Sequence, residues 1–157
     1  MHTAAGGKGV VQGQALSQGG RIVATYFISF NTAELDWADW IAWLLEEHGQ
    51  ETIIQEWDFV PAETISLRTD EAAAKADKII AILSPAYLET LAAQPEWAAD
   101  FARDAGGADR KVIPVRVKEC FPEEIINDIT YIDLTGLDEE KAEQELLHKI
   151  AAEGVKH

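Results

Sequence analysis

Apolar positions along this chain follow two rhythms. Ile22 to Phe30 is almost continuously apolar, β-branched and aromatic, as expected of a strand buried on both faces. Asn31, with Glu34 three residues on, is an N-cap signature. It predicts a helix running to about His48, where Gly49 stops it. Thr52 to Trp57 reads as a second strand, and a loop containing Pro61 follows. A second helix is expected from about Ile65 to Ala76, with Ile65, Thr69, Ala72, Ala73 and Ala76 on one face. Lys78 to Leu83 is a third strand; Ser84-Pro85 ends it and opens a helical region broken again at Pro95. Lys111 to Val117 is a fourth strand, with Pro114 at a bulge or an unpaired position. Thr130 to Leu134 is a short fifth strand. The last helix starts near Asp138 and buries Ala142, Leu146 and Ile150.

Alternation of this kind predicts parallel strands joined by right-handed crossovers. The expected fold is a flavodoxin-like, doubly wound α/β domain with five parallel strands in the order 2-1-3-4-5 and helices on both faces. In such sheets ligands bind at the carboxyl ends of the strands. Here that rim comprises Phe30-Asn31, Trp57-Asp58 and Ser84-Pro85.

Composition adds boundaries. Residues 1–20 hold six of the eleven glycines, which predicts a flexible leader or linker. Residues 21–152 form the domain and 153–157 a tail. No apolar run approaches the roughly 18 residues of a membrane span, and the first 20 residues lack the apolar core of a signal peptide. Acidic residues outnumber basic ones 28 to 13, a net charge of −15 that argues against nucleic acid as the main partner. The single cysteine, Cys120, allows no internal disulfide and suits a reducing cytoplasm. It sits in no recognisable nucleophile motif.

The rim excludes two chemistries. A phosphoacceptor site needs an acidic cluster after strand 1 and an Asp ending strand 3 to hold a divalent metal; here the strands end Ser29-Phe30-Asn31 and Leu83-Ser84, so no metal site is expected. No Gly-x-Gly-x-x-Gly follows strand 1, so the usual dinucleotide fingerprint is missing. The more informative stretch is Ser84-Pro85-Ala86-Tyr87-Leu88, then Gln94-Pro95-Glu96-Trp97. Pro95 fits the first position of a helix. Glu96 then falls in the first turn, where the helix dipole favours a carboxylate. From the residues alone Glu96 reads first as a solvated or capping acid, and Trp97 as core.

Tyr26-Phe27-Ile28-Ser29-Phe30, the Trp57-Asp58-Phe59 loop, and Leu83-Ser84-Pro85-Ala86-Tyr87-Leu88 followed by Pro95-Glu96-Trp97 resemble a bacterial Toll/interleukin receptor (TIR) domain over residues 24–150. The resemblance implies the same five-stranded fold. It also implies an activity, because many TIR domains hydrolyse or cyclise NAD with one glutamate on the helix after strand 3, the place Glu96 occupies. NAD is then a substrate, no cofactor is needed, and Phe30, Asn31, Trp57, Asp58, Phe59 and Ser84 are the candidate contacts. Bacterial immune defence is the usual setting of such domains, and self-association or pairing with other TIR domains is implied. A catalytically silent assembly module is the alternative. The chain differs from the family pattern in having Ala92 where an aromatic often stands four residues before the glutamate, Pro61-Ala62 where Gly usually follows Pro, and no obvious Arg at the rim for the pyrophosphate.

Helix geometry marks one further residue. At about 100° per residue, Trp37, Trp40, Ile41, Leu44 and Leu45 share one face of the first helix. Trp43 falls opposite, among Asp36, Asp39, Glu46 and Glu47. It is expected to be at least partly exposed, either as a ring lying on the domain's own surface or as a contact with another protomer.

Overall fold

A computed structural model of the chain describes residues 23–56, 74–107 and 110–153. Five strands form one all-parallel sheet: β1 (Thr25–Phe30), β2 (Glu51–Glu56), β3 (Lys78–Leu83), β4 (Val112–Arg116) and β5 (Ile132–Asp133). Their order is β2-β1-β3-β4-β5, as the alternation of elements predicts. Among the described residues it is flanked by α1 (Leu35–Glu47), α2 (Pro85–Ala93), α3 (Pro95–Asp104) and α4 (Glu139–Glu153).

Side chains alternate across each strand and divide the core in two. Tyr26, Ile28, Phe30, Ile80, Ile82, Ile113 and Val115 face α1 and α4, where they meet Ile41, Leu44, Leu45, Ala142, Leu146 and Ile150. Phe27, Ile79, Ala81, Leu83 and Val112 face α2 and α3, against Tyr87, Leu88, Leu91 and Phe101. Every residue of β3 is buried, because β3 is central and covered on both sides. Each such Ile or Leu contributes roughly 1.5–3 kcal/mol from burial.

Gly49 stops α1 as expected. Its φ of 88° is open to glycine at no steric cost, and the chain turns there with Gly49 N–H donating to Glu46 O and Gln50 N–H to Leu45 O. The start of α1 differs from the expectation. Asn31 Oδ1 accepts from the Ala33 N–H at 2.9 Å, but a 3₁₀ turn over Thr32–Glu34 comes first and the α-helix begins only at Leu35. Glu34 does not reach back to complete a capping box. It is buried, and its carboxylate pairs with Lys118.

Pro114 sits in an unbroken register with Ala81, so there is no bulge. Neighbouring Arg116 presents its backbone to the β5 side, where its carbonyl accepts from Leu134 N–H. Pro114 has the same parity, and β5 pairs only from Val115 onward, so the missing N–H falls at an unpaired position. β5 is shorter than the expected 130–134 because it pairs only through Ile132 and Asp133. The β4–β5 connection carries a 3₁₀ turn over Pro122–Glu124 and no α-helix, which departs from a regular strand–helix alternation. Asp138 caps α4, its side chain accepting from Lys141 N–H at 2.8 Å. The expected leader over 1–20, nearly all of the expected helix 65–76, and Trp57, Asp58 and Phe59 lie outside the described residues. Among the described residues no helix is long and apolar enough to cross a membrane.

Candidate functional site at the carboxyl edge of the sheet

Ser84 ends β3 and starts α2. It is fully buried, and its Oγ accepts from Tyr87 N–H at 3.3 Å, which caps the helix whose first residue is Pro85. Tyr87 then points inward, and its hydroxyl meets Ser29 Oγ at 2.8 Å near the end of β1. Burial pushes the Tyr87 phenol above its ordinary pKa, so it stays protonated and bonds as a neutral hydroxyl.

The same contacts orient α3. Ala105, just past its end, gives its carbonyl to the Arg110 guanidinium at the amino edge of the sheet, ahead of β4. Phe101, one turn back, packs edge-on against Tyr87, with ring centroids 6.2 Å apart. Tyr87 is in turn bonded to Ser29, close to the carboxyl edge. Passing from Ala105 to Phe101 therefore climbs toward that edge. Five residues further, about 7.5 Å of helix, stands Glu96. It is exposed in the first turn, directly after Pro95. Among the described residues no hydrogen bond or ion pair ties its carboxylate down. Trp97 is half-buried against the α2 and α3 core and anchors that turn.

The other expected contacts divide. Asn31 stands half-buried at the end of β1, spent in part on capping the 3₁₀ turn. Ser84 is wholly inside and engaged as a cap. Phe30 was expected on the rim beside Glu96. Its ring is 1% exposed and belongs to the core on the α1 and α4 face, so the sheet lies between it and α3. The strand's alternation sends Ser29, not Phe30, toward Tyr87. Ala92 is exposed in α2 and brings no ring to the site.

Two cations at the end of β4 were not singled out by the sequence. Arg116 forks onto Asp133, with Nε to Oδ1 at 3.2 Å and Nη2 to Oδ2 at 2.8 Å. It also donates to Cys120 O at 2.8 Å and covers the Tyr131 ring at 5.3 Å. That fork, with Thr135, holds the Asp133 carboxyl down to about 2. Lys118, two residues on, pairs with buried Glu34 at 3.0 Å. The signal for both was position: Arg116-Val117-Lys118 leaves the carboxyl end of a strand in a fold that binds ligands there. Burial raises the Cys120 thiol pKa, which opposes a thiolate nucleophile. Among the described residues no group of three or more His, Cys, Asp or Glu is placed to hold a metal ion.

An all-parallel five-stranded sheet in this order, with helices on both faces and an exposed acid at its carboxyl edge, is a flavodoxin-like α/β domain of the TIR kind. The family model described as TIR domain matches residues 27–147, and the chain belongs to that family. A comparison with curated proteins finds no match.

Proposed function

We propose that this TIR domain cleaves the nicotinamide–ribose bond of NAD, with Glu96 as its catalytic carboxylate. One observation carries the reading: Glu96 is exposed and uncommitted in the first turn of α3, which rises to the carboxyl edge of the sheet. Structural acids elsewhere in the domain are engaged, as Glu34, Asp133 and Glu153 are.

The chemistry needs little more than one fixed carboxylate. Nicotinamide departs from NAD as a neutral molecule because the pyridinium takes the bonding electrons, so no general acid is required, unlike the usual two-carboxylate glycosidase. Positive charge builds on the ribose as the bond lengthens. A carboxylate held beside the ring stabilises that charge or holds the ribose hydroxyls. Water then gives ADP-ribose, and attack from within the substrate gives a cyclic product. Immune-defence signalling is the setting this activity fits.

The test is nicotinamide release from NAD by concentrated protein. Glu96→Ala should abolish it, and Glu96→Gln should be nearly as inactive, with the thermal midpoint held because an exposed first-turn residue contributes within about 0.5 kcal/mol. Undiminished turnover in either variant removes Glu96 from the chemistry.

A second reading, assembly without catalysis, is favoured by a different observation. Trp43 is 46% exposed on the outer face of α1, with Leu35 also open at the start of the same helix. A chain that associates through this face and releases no nicotinamide is an assembly module.

A further inference from the structure

Glu34 is an acid the mechanism above does not use. Its side chain is only 3% exposed, yet it lies at the carboxyl edge, in the turn directly after β1. Its counter-ion comes from the far side of the central strand. Val117 N–H donates to Leu83 O at the end of β3, and Lys118 follows as β4 runs out. β1 and β4 are separated by β3, a gap of roughly 10 Å at ordinary strand spacing. The ion pair of 3.0 Å therefore spans the end of β3, where Ser84 begins α2.

The pair is uneven. Glu34 is buried while the Lys118 side chain as a whole is 51% exposed, so the contact lies where the core meets solvent. An ammonium has three N–H donors. One oxygen at 3.0 Å engages one of them, and the fixed carboxylate holds the nitrogen in place; among the described residues no second acceptor takes the others. Arg116, the other cation leaving β4, has its fork committed to Asp133 and Cys120. In a chain of net charge −15, an anion approaching this edge meets repulsion except where such a held cation stands.

We propose, resting on the NAD reading above, that Lys118 is the cation that contacts the pyrophosphate of the dinucleotide, and that Glu34 is its positioning residue. The ligand class is a nucleoside diphosphate laid over the end of β3, with its reactive ribose toward Glu96. Glu34 sets the ammonium before the ligand arrives, so little side-chain freedom is lost on binding.

The experiment titrates ADP and adenosine separately into the whole chain and measures KM and kcat for NAD beside them. Wild type should bind ADP more tightly than adenosine. Lys118→Met should weaken ADP about tenfold, the scale of one charge-assisted hydrogen bond, with adenosine unchanged. KM for NAD should rise by a like factor while kcat holds, and Lys118→Arg should recover most of the loss. Lys118→Met strands a buried carboxylate, so the double variant Glu34→Gln/Lys118→Met is measured too. It should melt near wild type and still bind ADP as weakly as the single variant. ADP affinity restored in the double variant, or never lost in Lys118→Met, overturns the assignment and leaves the NAD reading standing. Loss of the ADP margin in Lys118→Met, together with no nicotinamide release by wild type, keeps the subsite and removes the catalytic reading. A wild type that binds neither ADP nor NAD overturns both.

Discussion

Two contacts, one buried and one at the surface, show how single interactions set this domain's tolerance to change. Ser29 Oγ and Tyr87 OH lie 2.8 Å apart in a buried contact, so each satisfies the other. Ser29→Ala leaves the Tyr87 hydroxyl buried without that partner, at a cost of about 1–3 kcal/mol. Tyr87→Phe should cost less in the Ser29→Ala background than in wild type, and urea unfolding of the four proteins should show a coupling of roughly 1 kcal/mol. Additive losses would mean that the contact is not a bond. Asp133 makes the pH-dependent case. Its folded pKa of about 2 lies below the ordinary 3.8, so its contribution is fully present only above about pH 5 and is lost as pH falls through about 2. The carboxylate side is 44% exposed, and screening keeps the effect to roughly 1 kcal/mol or less. The gap in unfolding midpoint between wild type and Asp133→Asn should close across that acid window. A gap that stays constant from pH 7 to about pH 2 would show that Arg116 does not hold the folded carboxyl down.

At the scale of elements, the sequence announces what depends on local pattern and is silent about what depends on distant partners. β1, β3 and β4 were legible because strands covered on both faces are continuously apolar. The ends of α1 and α4 were legible because Gly49 and Asp138 act through their own backbone and neighbouring N–H groups. Glu34 misled, because the same residue type at the same spacing serves a capping box or an ion pair, and Lys118 decides from 84 residues away. Phe30 misled for a simpler reason: the last residue of a strand belongs to one face or the other, and here it is the face of α1 and α4. The place of Glu96 at the edge could be anticipated from Pro95 and the strand order, whereas for Arg116 and Lys118 position at the end of β4 was the one signal, and their partners Asp133 and Glu34 were not legible. Arg110 gave no local signal at all. It is 7% exposed, and it joins Glu153 in the last turn of α4, Ala105 at the end of α3 and Thr130 before β5. Arg110→Met leaves Glu153 and two carbonyls without their donor, a loss of roughly 3–5 kcal/mol. Hydrogen exchange should quicken first in the last turn of α4. A variant that unfolds at the wild-type urea midpoint would show that the three elements hold together by apolar packing alone.

At the scale of the whole molecule, charge and the exposed tryptophan act against each other. The net charge of −15 makes any two copies repel. The outer face of α1 carries Trp43, 46% exposed, among Asp36, Asp39, Glu46 and Glu47, all of them exposed acids. Trp43 points away from the core that Ile41, Leu44 and Leu45 fill, so its own fold gains little from it. Tryptophan is a residue type enriched in interface hot spots, and TIR domains typically associate with one another. Association through this face brings like charges together around an apolar centre. Salt should therefore strengthen it: the Debye length falls from about 14 Å at 50 mM to about 4 Å at 500 mM, which screens the acids and leaves the apolar contact intact. Sedimentation velocity should show association rising with salt in the wild type and largely absent in Trp43→Ala at either salt. The thermal midpoint of Trp43→Ala should stay within about 0.5 kcal/mol of stability of wild type, as for other surface substitutions. If turnover of NAD depends on assembly, it falls with association in the same variant, and added salt cannot restore it. Association that weakens with salt, or an unchanged association in Trp43→Ala, places the interface on another face of the domain.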